Sequence, residues 1–346
     1  MLTQKETQAS LYKTHQSFGL NNALAQLYQW SFESGYLTKN KLTDNKRYDF
    51  YDADLGITFK TQINIARSHY SPKPLSGVNI PKLHCPICFE NIGVSGKENL
   101  CAYEFNLSEN RPFFIQLTPF PLYPKHFVLI NKKPTPMIMS QQSIQDLVNF
   151  IHLAPGYVGC SNSDVEWAGA SILTHHHYQV FDNLHLPIME AKLLPELTQD
   201  IAVNEHKVKY GLLNYPIATC YVECEKDEPF IQTCGNIIAK WKANSLGKNT
   251  CNLVIRKDLE KNTYQAYIIF RNPDFRTPAN LTYIKSEGVG IIEVAGEGIY
   301  PIPKEDVVWD HIQYNGLEII KSIISSNSPV KREDFQTLFQ TINVSH

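Results

Sequence analysis

The chain has 346 residues, of which 43% are hydrophobic and 19% are charged. This composition excludes a disordered chain, and at about 150 residues per domain the length allows two domains or one domain of two similar halves. A formal net charge of −2 argues against a nucleic-acid-binding protein, which usually carries a basic face. No apolar run is long enough to cross a bilayer, and no signal-peptide pattern opens the chain. We therefore expect a soluble, cytoplasmic protein with no membrane partner.

The eight cysteines point to the same compartment. A chain of this length can build a large core, so it does not need disulfides to fold. Two pairs are closely spaced, Cys85 with Cys88 and Cys220 with Cys224. The other cysteines lie among apolar residues, where buried free thiols are expected. These features favour a reducing environment.

The N-terminal part begins with one clear helix signal. Apolar residues at helical spacing predict a helix over residues 21–34, and Gly35 ends it. Residues 42–54 are polar and mixed, which indicates a linker. Residues 70–81 contain three prolines and a glycine, so we expect an extended loop that leads to the first cysteine pair.

The middle of the chain alternates between strand and helix patterns. Residues 113–117 and 126–130 predict two strands joined by a Pro-rich turn. Residues 140–153 predict an amphipathic helix, and a further strand is expected over residues 172–181.

The second half repeats part of this order. A helix is predicted over residues 231–243, strands follow at 252–256, 264–270 and 290–294, and two helices at 310–325 and 332–342 close the chain. This echo predicts an α+β protein of two similar halves, with antiparallel sheet and helices packed on one face. The expected segments are an N-terminal helical and extended segment, 1–70, a first half, 71–215, and a second half with the C-terminal helices, 216–346.

The most informative motif is the run from His175 to Gln179, His-His-His-Tyr-Gln. In a strand, His175, His177 and Gln179 would share one face, where two imidazoles and an amide can hold a phosphate or a metal ion. A histidine run is also found in solvated turns or by chance, so the motif alone is a hypothesis.

A second pattern is Cys85-Pro-Ile-Cys88, which is half of a tetrahedral zinc site. His126, at the start of a predicted strand, and His175 are sensible partners, so we expect a zinc set of Cys85, Cys88, His126 and His175. A turn with two buried thiols and a redox pair are the alternatives, although no thioredoxin-like pattern follows. Cys220 with Cys224 is the less favoured zinc candidate.

The segment Gly159 to Gln179 resembles the active-site segment of bacterial class II galactose-1-phosphate uridylyltransferases, which belong to the histidine-triad superfamily. Three further stretches resemble the same family in the same order: Cys85-Pro-Ile-Cys-Phe-Glu-Asn91, Pro187-Ile-Met-Glu-Ala-Lys192 and Ile284-Lys-Ser-Glu-Gly-Val-Gly-Ile-Ile-Glu-Val294. Four collinear matches are far more specific than one histidine motif. The resemblance implies two histidine-triad-like halves, of which only the first keeps the catalytic histidines.

The resemblance also implies ping-pong transfer of a uridylyl group. His177 would attack the α-phosphorus of a UDP-hexose, and a hexose 1-phosphate would then take the uridylyl group from the histidine. Gln179 and Ser171 would bind the phosphate oxygens, Asn162 and Gly169 would contact the substrate, and His175 would be a zinc ligand.

Several points stay open at this stage. Arg271 and Asn272 either line the nucleotide pocket or form a strand-end turn. The motif is followed by Val180 and Phe181, where the family usually has two small residues. A phosphorylase or hydrolase with nucleotide-sugar or dinucleotide substrates, and a non-catalytic zinc- or nucleotide-binding protein, are the alternatives. The expected partners are a UDP-sugar and a sugar 1-phosphate, with no nucleic acid, and a homodimer is the candidate assembly.

Overall fold

A computed structural model describes residues 3–65, 85–93, 97–169, 172–245 and 247–344. Within these ranges the chain forms thirteen strands and eight α-helices. The first half contains α1 Gln4–Phe18, α2 Leu20–Glu33, α3 Asn40–Thr43, β1 Lys46–Asp52, β2 Ile57–Ile63, β3 Ala102–Ser108, β4 Arg111–Leu117, β5 His126–Asn131, α4 Gln141–Leu153, β6 Tyr157–Ser161 and β7 His177–Asp182. The rest contains β8 Leu193–Val203, β9 His206–Leu213, β10 Thr219–Cys224, α5 Asp227–Ala243, β11 Thr250–Asp258, β12 Thr263–Arg271, α6 Ile291–Val294, β13 Glu297–Tyr300, α7 Asp306–Ser326 and α8 Phe335–Thr341.

One ten-stranded sheet spans both halves, in the order β3-β4-β5-β7-β6-β11-β12-β10-β9-β8. Every pair of neighbours in it is antiparallel. Each half has three strands in sequence, then a helix, then two strands of which the last pairs with the third. The halves meet where β6 pairs with β11. This repeated topology confirms the predicted α+β fold of two similar halves.

The two faces of the large sheet bury separate cores. One face carries α1, α2, α4, α5 and α8, and its core includes Leu24, Leu147 and Ile237. The opposite face is covered by α6, α7 and a three-stranded sheet of order β1-β2-β13. Side chains alternate along β7, so Tyr178 enters the first core and Phe181 enters the second. The prediction placed helices on one face, and the structure adds this second layer.

Most predicted elements are confirmed, with small shifts of their ends. Helix α2 matches residues 21–34, and α4 matches residues 140–153 with Ser140 as its N-cap. Helices α5 and α7 begin four residues earlier than predicted. The predicted strand over residues 172–181 begins only at His177.

Two predictions about local structure are wrong. Residues 42–54 are not a linker, because they contain strand β1, which pairs with β2. Its side chains are mostly exposed since it is the edge of a small sheet, so the apolar alternation of a strand is absent. Residues 290–294 form helix α6 rather than a strand, because the Glu293 side chain accepts a hydrogen bond from the Gly290 N–H and caps the turn.

The segment boundaries at residues 70/71 and 215/216 stay predictions. Strands β8 and β9 precede residue 216 and lie beside β10 in the second half of the large sheet. Residues 70–81 and Ser171 lie outside the described residues. Among the helices that the structure describes, none is both long enough and apolar enough to cross a membrane.

Candidate active site

His177 lies at the first position of β7, on the face of the large sheet that meets the second core. Its Nδ1 atom is 2.8 Å from the carbonyl oxygen of His175. A carbonyl only accepts, so Nδ1 carries the proton and donates, and the lone pair is left on Nε2. Loss of hydration lowers the pKa of His177 to about 4. The ring is therefore neutral near pH 7, which is the nucleophilic form.

The side chain of His175 meets the cysteine pair. Its Nδ1 atom is 2.9 Å from Sγ of Cys85 and 3.3 Å from Sγ of Cys88, whose sulfur atoms are in direct contact with each other. Its Nε2 atom is 2.7 Å from the carbonyl oxygen of Asn131. That contact places the proton on Nε2 and turns the Nδ1 lone pair toward both sulfurs, as in metal-ligating histidines. Three of the four predicted zinc ligands therefore come together.

His126 is not a member of this cluster. The prediction that it would be the fourth zinc ligand is therefore wrong. Because β5 and β7 are antiparallel, His126 pairs with Phe181, at the opposite end of β5 from Asn131. Within the described ranges, Cys85, Cys88 and His175 form the one group of three side chains suited to a metal ion. Cys220 and Cys224 are instead buried free thiols in the core.

Gln179 shares its face with His177, two residues along β7, as predicted. Its Oε1 atom is 3.0 Å from Nε2 of His126, and the backbone N–H of Leu122 donates to Nδ1 of His126 over 3.2 Å. Since Nδ1 accepts, the ring proton is on Nε2 and is donated to Gln179. The Gln179 carbonyl oxygen is thereby occupied, and its amide N–H₂ group can donate elsewhere.

His176 and Tyr178 point to the opposite face, toward α4. The Tyr178 hydroxyl is 2.6 Å from His176 Nε2 and donates to Oδ2 of Asp146 over 2.8 Å. Arg111 donates to both carboxylate oxygens of Asp146 from Nε and Nη2. A charged hydrogen-bond cluster therefore braces the strand directly behind His177. Sequence reasoning missed Asp146, although an acidic residue beside the apolar stripe of a helix was an available signal.

The loop that follows β6 brings Asn162 and Gly169 against the second half. Oδ1 of Asn162 accepts from the backbone N–H of Ile291 over 2.9 Å. Gly169 has φ +98°, and a Cβ there would lie 2.9 Å from both Cα of Gly290 and the carbonyl oxygen of Val289. Both predicted substrate-binding residues thus lie at a contact between the two halves, and Gly169 is required there by close backbone approach.

Arg271 lies at the end of β12 and is fully buried. Its guanidinium donates to the carbonyl oxygen of Val289 over 3.0 Å and to the side-chain oxygens of Asn252 and Asn327. The side chain of Asn272 donates to Oδ1 of Asn249 over 3.0 Å. The structure thus places Arg271 beneath the Val289 backbone that contacts Gly169, and a direct contact of either residue with a nucleotide stays a prediction.

Comparison with solved structures defines the class of fold. The chain superposes on yeast Ap4A phosphorylase in complex with AMP with a TM-score of 0.53, covering 89% of this chain and 97% of the yeast chain at 12% sequence identity. A second structure of the same enzyme gives a TM-score of 0.55 at 11% identity. The likeness shows a shared α+β fold. No protein-family model matches the chain.

Sequence comparison gives closer relatives. The chain is 25% identical over 313 residues to galactose-1-phosphate uridylyltransferase 1 of Streptococcus pneumoniae and 26% identical over 328 residues to the Clostridium acetobutylicum galactose-1-phosphate uridylyltransferase. The Bacillus subtilis enzyme of that name is 24% identical over 324 residues. These matches cover 81% to 84% of the chain. The chain resembles these uridylyltransferases, and it spans only 61% to 62% of their length.

Proposed function

We propose that this protein is a nucleotidyltransferase that moves a uridylyl group between a UDP-hexose and a hexose 1-phosphate through a nucleotidyl-His177 intermediate. The relatives named galactose-1-phosphate uridylyltransferase support the class of reaction and the substrates. The observation that carries the proposal is the hydrogen bond from Nδ1 of His177 to the His175 carbonyl, since it leaves Nε2 as a free nucleophile.

In the first step, the Nε2 lone pair of His177 forms a bond to the α-phosphorus of the UDP-hexose. The bond from that phosphorus to the bridging oxygen breaks, and hexose 1-phosphate leaves with the electron pair. In the second step, a phosphate oxygen of another hexose 1-phosphate attacks the same phosphorus and the N–P bond breaks. The proton stays on Nδ1, hydrogen-bonded to the His175 carbonyl, throughout both steps, so the ring needs no proton transfer.

The groups around His177 are suited to the charge that builds up on the phosphate. The amide N–H₂ of Gln179 is on the same face, has no hydrogen-bond acceptor among the described residues, and can donate to a phosphate oxygen. The Asn162 amide nitrogen is available to the nucleotide, because its oxygen is bound to Ile291. The resemblance assigns Ser171 to the phosphate as well, and Gly169 allows the loop to approach the second half.

When the Cys85–Cys88 pair is reduced, the cluster of Cys85, Cys88 and His175 fits a structural zinc ion by its donor types, two thiolates and one imidazole. Such an ion would tie the segment around Cys85 to the strand that carries His177. The six remaining cysteines are free thiols, which fits the reducing cytoplasm proposed from the sequence. A homodimer is proposed as the assembly.

The second candidate function is a phosphorylase or hydrolase that uses the same nucleophile. It differs from the transferase in the molecule that takes the nucleotidyl group from His177, which is orthophosphate or water instead of a hexose 1-phosphate. Its support is that the solved structures that share this fold are of an Ap4A phosphorylase, which is a relative of the chain in fold. Val180 and Phe181, the two departures after the motif, are both buried in the sheet. Val180 packs in the first core behind the site, whereas Phe181 lies on the same face as His177 and stacks on His126.

The test is covalent labelling with UDP-glucose that carries a radioactive α-phosphate. We expect acid-labile, base-stable label on the wild type and on His206→Ala, which removes an exposed histidine, and none on His177→Ala. Release of the label by hexose 1-phosphate, by orthophosphate or by water then separates transferase, phosphorylase and hydrolase. The absence of label with every nucleotide sugar and dinucleotide tried would contradict nucleotidyl-histidine chemistry and favour a non-catalytic binding protein.

A further inference from the structure

The small sheet of β1, β2 and β13 is hydrogen-bonded to the turn at residues 118–125, which leads into β5. Arg47, on β1, donates to the carbonyl oxygen of Leu122 over 2.7 Å. Gln62, on β2, donates to the same oxygen over 3.3 Å. Glu297, on β13, accepts from the hydroxyl of Tyr123 over 2.6 Å. Each strand of the small sheet thus supplies one polar side chain to two consecutive residues of the turn.

These polar groups are bound to one another as well as to the turn. The Gln62 amide also donates to Oε1 of Glu297 over 3.2 Å, and Asn45 donates to Oε1 of Gln62 over 3.0 Å. The Arg47 guanidinium lies 5.3 Å from the centroid of the Tyr123 ring. Gln62 and Glu297 are almost completely buried, at 0% and 1% exposure. Burying a carboxylate is costly, and apolar side chains would join the two sheets at lower cost. We therefore infer that these buried polar side chains have a role besides packing the two sheets together.

The turn connects the small sheet to the active site through the backbone of Leu122, whose carbonyl and N–H belong to the two successive peptide groups on either side of its Cα. The N–H of Leu122 donates to Nδ1 of His126, and Nε2 of His126 meets Oε1 of Gln179. The His126 ring is also fixed in orientation because it stacks on the Phe181 ring, with ring centroids 4.1 Å apart. If the backbone at Leu122 changed its φ and ψ angles, the Leu122 N–H would turn away and His126 would lose the contact that fixes its tautomer. The Gln179 amide would then be free to turn its oxygen toward the substrate phosphate.

We propose that Arg47, Gln62, Tyr123 and Glu297 form a positioning relay that acts through the Leu122 backbone and His126 to direct the Gln179 amide N–H₂ at the transferred phosphate. This inference rests on the proposed function. The relay residues do not touch the substrate, and their effect reaches the reaction only through Gln179. They should therefore influence the rate of phosphoryl transfer and leave substrate binding largely unchanged.

The test compares two variants of His126 that each keep half of its contacts. His126→Gln can still donate to Gln179 from a nitrogen near the position of Nε2 but loses the acceptor of the Leu122 N–H, and we expect kcat to fall by about 5-fold, as in Tyr123→Phe. His126→Asn can accept from Leu122 but cannot reach Gln179, and we expect kcat to fall by about 10- to 100-fold with KM within about 3-fold. A wild-type kcat in His126→Gln, or a kcat of His126→Asn no lower than that of His126→Gln, would overturn the relay.

A second pair of variants makes smaller changes, so that the test still works if the His126 variants do not fold. Tyr123→Phe removes only the hydroxyl bound to Glu297, and we expect kcat to fall by about 5-fold with KM unchanged. The matched control is Tyr221→Phe, which removes a hydroxyl that donates to Glu223 over 2.7 Å on β10 of the second half. We expect wild-type kinetics from this control. A kcat of Tyr123→Phe equal to that of the control would overturn the relay.

A double-mutant cycle separates positioning from general support of the fold. In a Gln179→Ala background, Tyr123→Phe and His126→Asn should cause no further loss of kcat, because their effect passes through the missing amide. Losses that multiply with that of Gln179→Ala would show that the relay residues act independently of Gln179 and would overturn the proposal.

A measurement that needs no activity separates this inference from the proposed function. Nitrogen NMR of 15N-histidine-labelled protein should show His126 protonated on Nε2 in the wild type and a mixture of tautomers in Tyr123→Phe. Protonation on Nδ1 in the wild type would overturn the relay even in an active enzyme. A wild type that takes up no label from UDP-glucose, yet shows Nε2 protonation and its loss in Tyr123→Phe, would overturn the proposed function and support the relay geometry.

Discussion

The backbone oxygen of His175 accepts the Nδ1 proton of His177 over 2.8 Å, while the side chain of His175 faces Cys85 and Cys88. One residue therefore links the cysteine cluster to His177, the proposed nucleophile. Any displacement of the His175 side chain moves the carbonyl that holds the His177 ring.

The cysteine cluster predicts about one zinc ion per chain in protein purified under reducing conditions. Cys85→Ser should abolish the zinc content, and Cys220→Ser, which removes a buried thiol of the core, should leave it unchanged. Zinc is measured by atomic absorption, and thiols are counted in denaturant with a chelator. All eight cysteines should then react. Only six reactive thiols and no zinc would show that Cys85 and Cys88 form a disulfide instead.

The cluster around Asp146 predicts a large loss of stability when its carboxylate is removed. Asp146 is fully buried and receives Arg111 and Tyr178, so Asp146→Ala should lower the free energy of unfolding by about 3 kcal/mol. The control is Asp200→Ala, because Asp200 pairs with Lys207 at the surface and should cost less than about 0.5 kcal/mol. Urea unfolding of both variants gives the comparison, and similar midpoints would refute a structural role for the Asp146 cluster.

We expect Gly169→Ala to destabilise the protein by more than the strain of a positive φ angle alone, because the added methyl group would also meet a steric clash. Gly169→Ala places a methyl group 2.9 Å from Gly290 and Val289, so the two halves must separate locally, at about 3 kcal/mol or more. Gly56→Ala is the matched control, since Gly56 has φ +70° with open space around it and should cost about 1 kcal/mol. Thermal unfolding distinguishes the two. Equal shifts in Tm would show that the contact with the second half is not tight.

His126 predicts a specific loss of stability in acid. Burial lowers its pKa to about 3 in the folded state, against an ordinary value of 6.5, so the unfolded chain binds more protons between these values. Stability from this group is therefore complete above pH 6.5 and is lost as the pH falls toward 3. Between pH 7 and pH 5 the wild type should lose about 2 kcal/mol more than His126→Gln. Denaturant unfolding at both pH values measures this difference, and identical slopes for the two proteins would contradict it.

The histidine motif was the part of the candidate site whose arrangement could be predicted from the sequence. Residue spacing in a strand placed His177 and Gln179 on one face, and β7 has them there. The motif order also indicated which side chains belong to one site. His126 shows the limit, because its distance from the cysteines depends on the direction of β5 relative to β7. Strand direction is decided by which strands pair, and spacing along the chain does not contain it.

The same limit applies to α6 and β1. A short apolar run such as residues 290–294 fits a strand or a buried helical turn equally well, and the Glu293 cap decided between them. Strand β1 carries few apolar residues, because one side of it packs on α7 and the rest faces solvent. Its contribution to the active site, through Arg47, depends on a turn that is distant in the sequence.

The length and neutral charge of the chain, its helix and strand periods and its four collinear motifs were enough to indicate a doubled α+β fold, the nucleophile and most of a metal cluster. These features are local, since each depends on residues close together in sequence. Only the tertiary structure decided which carbonyl holds His177, that His126 serves Gln179 rather than a metal ion, and that Arg271 is buried beneath the loop. Each of these depends on packing between distant segments, where hydrogen-bond partners are set by strand pairing and by the cost of leaving a buried polar group unsatisfied.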